Sequence, residues 1–219
     1  MSEITLVRHG QAQTGARDEA SYDRLSRLGA QQAVWLGEHL AASGRRFDRL
    51  VCGTLNRQRA TADRIADALG LTVATDPRLN EMDYFGLAAA LNRTHALPFP
   101  ADRESFLIHI AQVLAAWSAG EIDSPAESFA EFEGRVAAFI ADARGDGGQV
   151  MLVTSGGVIG MAMRLMLRLD LAAYGHTLLQ IYNSSVHRYV TAGPDLVLDS
   201  YNAIPHLDRA DRRHAQSLV

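Results

Sequence analysis

Four short polar clusters in this chain carry residue types suited to handling a phosphate ester: Arg8-His9-Gly10, the segment from Gly53 to Arg57, Asn80 to Asp83, and Ser155-Gly156-Gly157. Arginine offers a planar fork that matches phosphate oxygens, and a glycine turn opening a helix offers free backbone N–H groups with a partial positive charge. A neutral imidazole held between arginines can attack phosphorus while a carboxylic acid across the pocket protonates the departing alkoxide. Water then hydrolyses the phosphohistidine.

Each residue also has an ordinary reading. An isolated His9 is a polar residue satisfied by its neighbours, and Glu81 and Asp83 are solvated loop acids. Arg57 falls in the first turn of a helix, where a cation opposes the helix dipole, and that placement argues for an anion nearby. Ser155 can serve as a plain helix cap. A serine-hydrolase elbow would need glycine two residues before Ser155, and that position is Val153. His39, His95, His109, His176, His187, His206 and His214 show no paired metal-ligand spacing, so neither a metal nor another cofactor is expected. Cys52 reads as a small buried apolar residue, close enough to the clusters for a reactive thiol to be considered.

The clusters gain force from the elements that precede them. Ile4–Val7, Leu50–Cys52, Leu71–Ala74 and Val150–Thr154 read as short strands, the last one central. Ser26 and Thr54 are placed to cap the first two long helices, which end near Ser43-Gly44 and at Gly70. Strands separated by such helices imply crossover connections, hence an α/β fold with three layers (α/β/α) around a mostly parallel sheet. Ligands then gather at the carboxyl ends of the strands, where all four clusters lie. A stretch of about 87–125 breaks the rhythm with Pro98, Pro100 and two helical patterns, and reads as a helical cap inserted in a single domain over 1–205. Its Phe99, Phe106 and Trp117 outnumber its firm cations, Arg93 and Arg103. Glu127–Ala143 resumes as an amphipathic helix. Val186–Val190 and Leu196–Leu198 form an edge hairpin through Gly193-Pro194, and 206–219 is expected as a loose polar tail.

A length of 219 residues with 47% hydrophobic and 21% charged composition is that of a globular chain with a sizeable core. The formal net charge of -4 gives no general attraction to nucleic acid or anionic membrane, so an anion must be met by a local pocket. One cysteine excludes an internal disulfide, and the start Met1-Ser2-Glu3 lacks a basic, hydrophobic leader, which predicts a cytoplasmic protein.

Leu6-Val7-Arg8-His9-Gly10-Gln11 resembles the defining motif of the histidine phosphatase superfamily, in its phosphoglycerate-mutase-like branch 1. Leu28–Ala33, Leu55-Asn56-Arg57 with Thr61, Leu79-Asn80-Glu81 and Asn183-Ser184-Ser185-Val186 fall in that family's order and approximate spacing, so the resemblance spans roughly residues 4–190. It implies that His9 accepts the phosphoryl group, that Arg8 and Arg57 hold phosphate, and that Glu81 donates the proton. The chain departs from the family's pattern at several positions. Ser155 stands where a second histidine is usual, leaving the Ser155 hydroxyl and the Gly156 amide as phosphate contacts. Gly15 replaces a phosphate-contacting asparagine. Gly53-Thr54 replaces serine-proline, and the motif after Glu81 runs one residue long, which makes Asp83 a competing acid. The expectation is a phosphomonoesterase acting on a small phosphorylated substrate, one phosphate on an organic body. A phosphoglycerate-mutase-type transferase and a degenerate phosphate- or phosphoprotein-binding module are the alternatives.

Overall fold

The computed structural model describes residues 2–16, 18–193 and 195–218, the side chain of Arg103 excepted. Six strands, β1 (Glu3–Arg8), β2 (Arg49–Cys52), β3 (Val73–Thr75), β4 (Gln149–Thr154), β5 (Val186–Ala192) and β6 (Asp195–Ala203), form one sheet in the order β3-β2-β4-β1-β5-β6. The four strands from β3 to β1 run parallel and β5 and β6 antiparallel, as the crossover argument requires. Alternation along the strands serves two cores. Ile4, Leu6, Val150 and Leu152 face one cluster, while Val7, Met151 and Val153 face the other. Helices α2 (Arg27–Ala42) and α3 (Asn56–Leu69) cover the second face. Helices α4 (Tyr84–His95), α5 (Arg103–Ser118), α6 (Phe129–Gly145) and α7 (Gly156–Leu167) cover the first, with α8 (Leu171–Leu178) packed on α7. Together with the four-residue α1 (Glu19–Tyr22), these are the helices that frame the strand ends. None is long and apolar enough to cross a membrane.

Local chemistry sets most boundaries. The Ser26 hydroxyl accepts the Gly29 N–H at the start of α2, and Ser128 and Glu131 form a capping box on α6. Thr54 does not cap α3. It is tied to Asn80 through its own N–H and hydroxyl, and the first N–H groups of α3, those of Asn56 and Arg57, go to the Asp23 carboxylate. The third strand begins at Val73 rather than Leu71, and α8 has no counterpart in the sequence reading. The stretch 87–125 is helical as expected, and Pro194 of the hairpin turn lies outside the described residues. Gly10 and Gly29 bring the loop after β1 against the first turn of α2. A Cβ at Gly10 would meet the Gly29 carbonyl oxygen at 2.2 Å, so only glycine allows this approach.

The tail after Pro205 is packed, not loose. Leu207 and Ala215 are fully buried, Gln32 Nε2 donates to the Ala215 carbonyl and the Ser217 hydroxyl, and the Asn183 N–H donates to the Ser217 carbonyl. His206 in this tail and His187 on β5 are buried, and burial pushes each down to about 3. A folded-state value below the ordinary 6.5 means both rings are neutral in the fold and charge only on unfolding. Stability is therefore complete above about pH 6.5 and falls as the pH drops towards about 3, by up to ~1.4 kcal/mol per pH unit for each ring. Urea titrations across this range should show that slope, and His187→Gln should flatten it by one proton's worth. An unchanged slope in the variant would remove His187 from the account.

Candidate active site

His9 leaves the carboxyl end of β1 with its ring almost wholly buried. Its Nδ1 lies 2.7 Å from the Gly10 carbonyl oxygen, which can only accept, so Nδ1 carries the proton. Nε2 then carries the ring's lone pair and accepts from Arg57 Nε at 3.3 Å, in agreement with that tautomer. Burial first, then the charges of Arg57 and Arg8, hold this imidazole well below its ordinary value against the opposing pull of Gly10. His9 is thus a neutral base with an oriented lone pair at ordinary pH. The loop behind it is braced by the Ser184 N–H on the His9 carbonyl and by the Thr61 hydroxyl, which accepts the Gly10 N–H.

Arg57 and Arg8 flank the ring. Arg57 sits in the first turn of α3, where its Nη1 pairs with Glu19 at 2.6 Å and Asp23 at 3.1 Å, and its guanidinium lies 4.9 Å from the Tyr22 ring centre. The anion expected near this cation is supplied by the protein's own carboxylates. Arg8 Nη1 donates to the carbonyls of Ile181 and Leu218, while its Nε is buried without a protein partner beside Gly156. A buried guanidinium donor without a protein acceptor, at a cavity wall, is suited to an anion's oxygen.

Glu81 reaches across to the start of α7, where its two oxygens accept the N–H groups of Met82 at 3.0 Å and Gly157 at 2.9 Å. Arg8, Arg57, Glu81, Glu19 and Gly156 all line one cavity of about 620 Å³. Asp83 does not line it, being spent as the N-cap of α4 on the Gly86 N–H. Ser155 is also set back from the wall. It occupies the N-cap position of α7 without a capping bond, fully buried, and its hydroxyl accepts from Gln58 Nε2 at 2.8 Å. The cavity therefore meets the Gly156 backbone and not the Ser155 side chain. Cys52 is buried, and desolvation raises its thiol to about 11, the opposite of a reactive thiolate.

Five of the six candidate site residues, His9, Arg8, Arg57, Glu81 and Gly156, thus converge at the carboxyl edge of the sheet. Sequence reading missed Glu19, Asp23 and Tyr22 around Arg57, the Gln58–Ser155 contact, and the tail carbonyl of Leu218 on Arg8. Only the charge pattern of Glu19 and Asp23 carried a signal.

Residues 4–204 match the family model described as Histidine phosphatase superfamily (branch 1). A probable phosphoglycerate mutase of Enterobacter sp. is 30% identical over 86% of this chain and 84% of its own, and one of Citrobacter koseri is 29% identical over 95% and 96%. Among solved structures, a mycobacterial glucosyl-3-phosphoglycerate phosphatase complexed with VO3 is 26% identical over 93% of this chain and all of its own, with a TM-score of 0.68. An Entamoeba histolytica phosphoserine phosphatase shares the fold at a TM-score of 0.69 and 20% identity, over 94% of this chain and 100% of its own.

Proposed function

Because this chain belongs to the histidine phosphatase superfamily, branch 1, we propose that it is a phosphomonoesterase that carries the phosphoryl group on His9. The observation that carries the reading is the neutral, Nδ1-protonated His9 ring, whose Nε2 lone pair meets the buried Arg57 and which feels the charges of Arg57 and Arg8. Nε2 attacks phosphorus, the P–O ester bond breaks, and Glu81 in its acid form gives its proton to the departing alkoxide. Water then attacks the phosphohistidine, Glu81 takes up the water's proton, and the N–P bond breaks to release phosphate and restore neutral His9. Arg8 Nε, the Arg57 guanidinium and the Gly156 amide hold the phosphoryl oxygens, where charge develops in the transition state. Glu19, which lines the cavity and is the more exposed of the two carboxylates on Arg57 Nη1, gives way when the phosphoryl group arrives. In this reading Ser155, which the motif resemblance matches to a second histidine, supports the pocket through Gln58 rather than by touching phosphate.

The named mutase relatives raise the alternative of phosphoryl return to a rebound product. A mutase must grip a second anionic group, and among the described residues the cavity offers no cation besides Arg8 and Arg57, which favours hydrolysis. The deciding experiment is to incubate the protein with radiolabelled aryl phosphate and quench parallel samples in alkali and in acid. An acid-labile, alkali-stable phosphoryl group that disappears in His9→Ala is expected. A label that is acid-stable and alkali-labile, mapping to Ser155, would overturn the mechanism, and no label with no phosphate release would leave a binding module.

Gly157 gives a sharper check on Glu81. A Cβ there would stand 2.1 Å from Glu81 Oε1, 3.0 Å from its Cδ and 3.1 Å from Met82 Cε, all of them side-chain atoms that can move. Gly157→Ala should thus displace the acid while leaving the fold intact, because alanine improves helix propensity at this position. A loss of roughly 10²-fold in kcat is expected, with a stability loss no larger than the roughly 1–3 kcal/mol of an unpaired N–H, and full activity would argue that Glu81 is not positioned for the reaction.

A further inference from the structure

The cavity walls above the arginines differ in kind from its floor. From Arg57 outward runs a row of rings in edge-to-face contact: Tyr22 on Phe85 at 6.1 Å, Phe85 on Tyr84 at 5.6 Å, and Tyr84 on Phe106 at 5.5 Å, with interplanar angles of 60° to 69°. Leu178 and Leu179 at the end of α8 complete the apolar lining. Phe99 at the mouth is 46% exposed yet held, stacked on His109, whose Nδ1 in turn bonds the Tyr84 hydroxyl at 3.0 Å. Charge is distributed with equal bias. The sequence contains no lysine, and Arg93 of α4 does not reach the cavity. Among the described residues the lining cations are Arg8 and Arg57, at the phosphate end, and Arg57 already faces Glu19 and Asp23.

We propose that the substrate is a phosphate monoester of an uncharged, largely apolar alcohol, aromatic bodies foremost, and that a second anionic group on that alcohol is rejected. The proposal rests on the phosphatase reading for turnover but not for binding. A cavity of about 620 Å³ has the size of small-molecule sites, and a phosphoryl group fills only a small part of it, so most of the substrate's contact is with the ring row and the leucines. A carboxylate or second phosphate in that space would lose its hydration, find no uncommitted cation among the described residues beyond the phosphate end, and face the Glu19 side chain.

Non-hydrolysable phosphonates separate this proposal from the catalytic one. Along a series of n-alkylphosphonates, calorimetry should show affinity rising about fourfold per methylene until the cavity is full, with phenyl- and naphthylphosphonate tighter than methylphosphonate. A terminal carboxylate on a chain of equal length should weaken binding on the order of 10²-fold. A flat series, or tighter binding of the carboxylated ligand, would overturn the proposal. In turnover, naphthyl phosphate should exceed phosphoserine and 3-phosphoglycerate in kcat/KM by a similar factor, and the reverse ranking would overturn it too. Absence of turnover on every ester, with the chain-length dependence intact, would sink the phosphatase reading and leave the binding preference standing. Phe99→Arg, at a half-exposed position that tolerates charge, should recover at least tenfold of the affinity for the carboxylated phosphonate. No recovery would count against the charge argument.

Discussion

His9→Ala is expected to lower kcat/KM on an aryl phosphate by on the order of 10⁴- to 10⁶-fold, the scale seen when an enzyme loses its nucleophile. The size follows from the ring's place in both halves of the proposed reaction, where it forms and then loses the N–P bond, so no neighbour can stand in. Ser155 has its hydroxyl on Gln58, Asp83 is a helix cap, and the Cys52 thiol is held at about 11. The same geometry sets the pH dependence. Because burial and two arginines hold His9 well below 6.5, the free enzyme keeps its nucleophile neutral through the mildly acid range. The acid limb of kcat/KM should therefore lie below the ordinary histidine value rather than at it. A residual activity within tenfold of wild type would remove His9 from the covalent role, whatever its position.

The fold was legible where local pattern and tertiary demand agree. Three apolar residues and Thr5, running into Arg8-His9-Gly10, make a buried strand, and Ser26 caps α2 because its partner is three residues away. Thr54 misled because its hydroxyl had a distant competitor, Asn80, and the capping work passed to Asp23 from a four-residue helix too short to leave a period in the sequence. Arg57 shows the same limit from another side. Its unfavourable place in a first helical turn did announce an anion, but the carboxylates that answer lie 34 and 38 residues away along the chain. The polar composition of the tail predicts a loose segment, yet its polarity is spent on buried partners: Gln32 takes the Ala215 carbonyl, and Asn183 takes Ser217. Polar composition predicts solvation only when no buried donor is waiting. Ser155 was weighed as cap or phosphate contact, and the third outcome, a bond to Gln58, could not be read without knowing that α3 lies beside the start of α7.

Glu81→Gln should cost about 10²- to 10⁴-fold in kcat on alkyl phosphates, the usual worth of a general acid, and far less on nitrophenyl phosphate. The contrast matters more than the loss. An alkoxide leaves only if it is protonated as the P–O bond breaks, whereas a nitrophenolate leaves unaided, so removing the acid should steepen the dependence of rate on leaving-group basicity. The substitution preserves shape, but an amide has one carbonyl oxygen where the carboxylate has two, and the N–H groups of Met82 and Gly157 both need one. One donor is left unpaired, which lowers stability by roughly 1–3 kcal/mol without affecting leaving-group dependence. Asp83→Ala supplies the control. It removes the cap of α4 at a cost of about 1 kcal/mol, and since Asp83 is absent from the cavity wall, the dependence on leaving group should stay that of the wild type. If Asp83→Ala steepens that dependence and Glu81→Gln does not, the acid is Asp83, reached through a rearrangement of the α4 start. If neither does, the proton comes from water, and Glu81 is held at the helix for its charge alone.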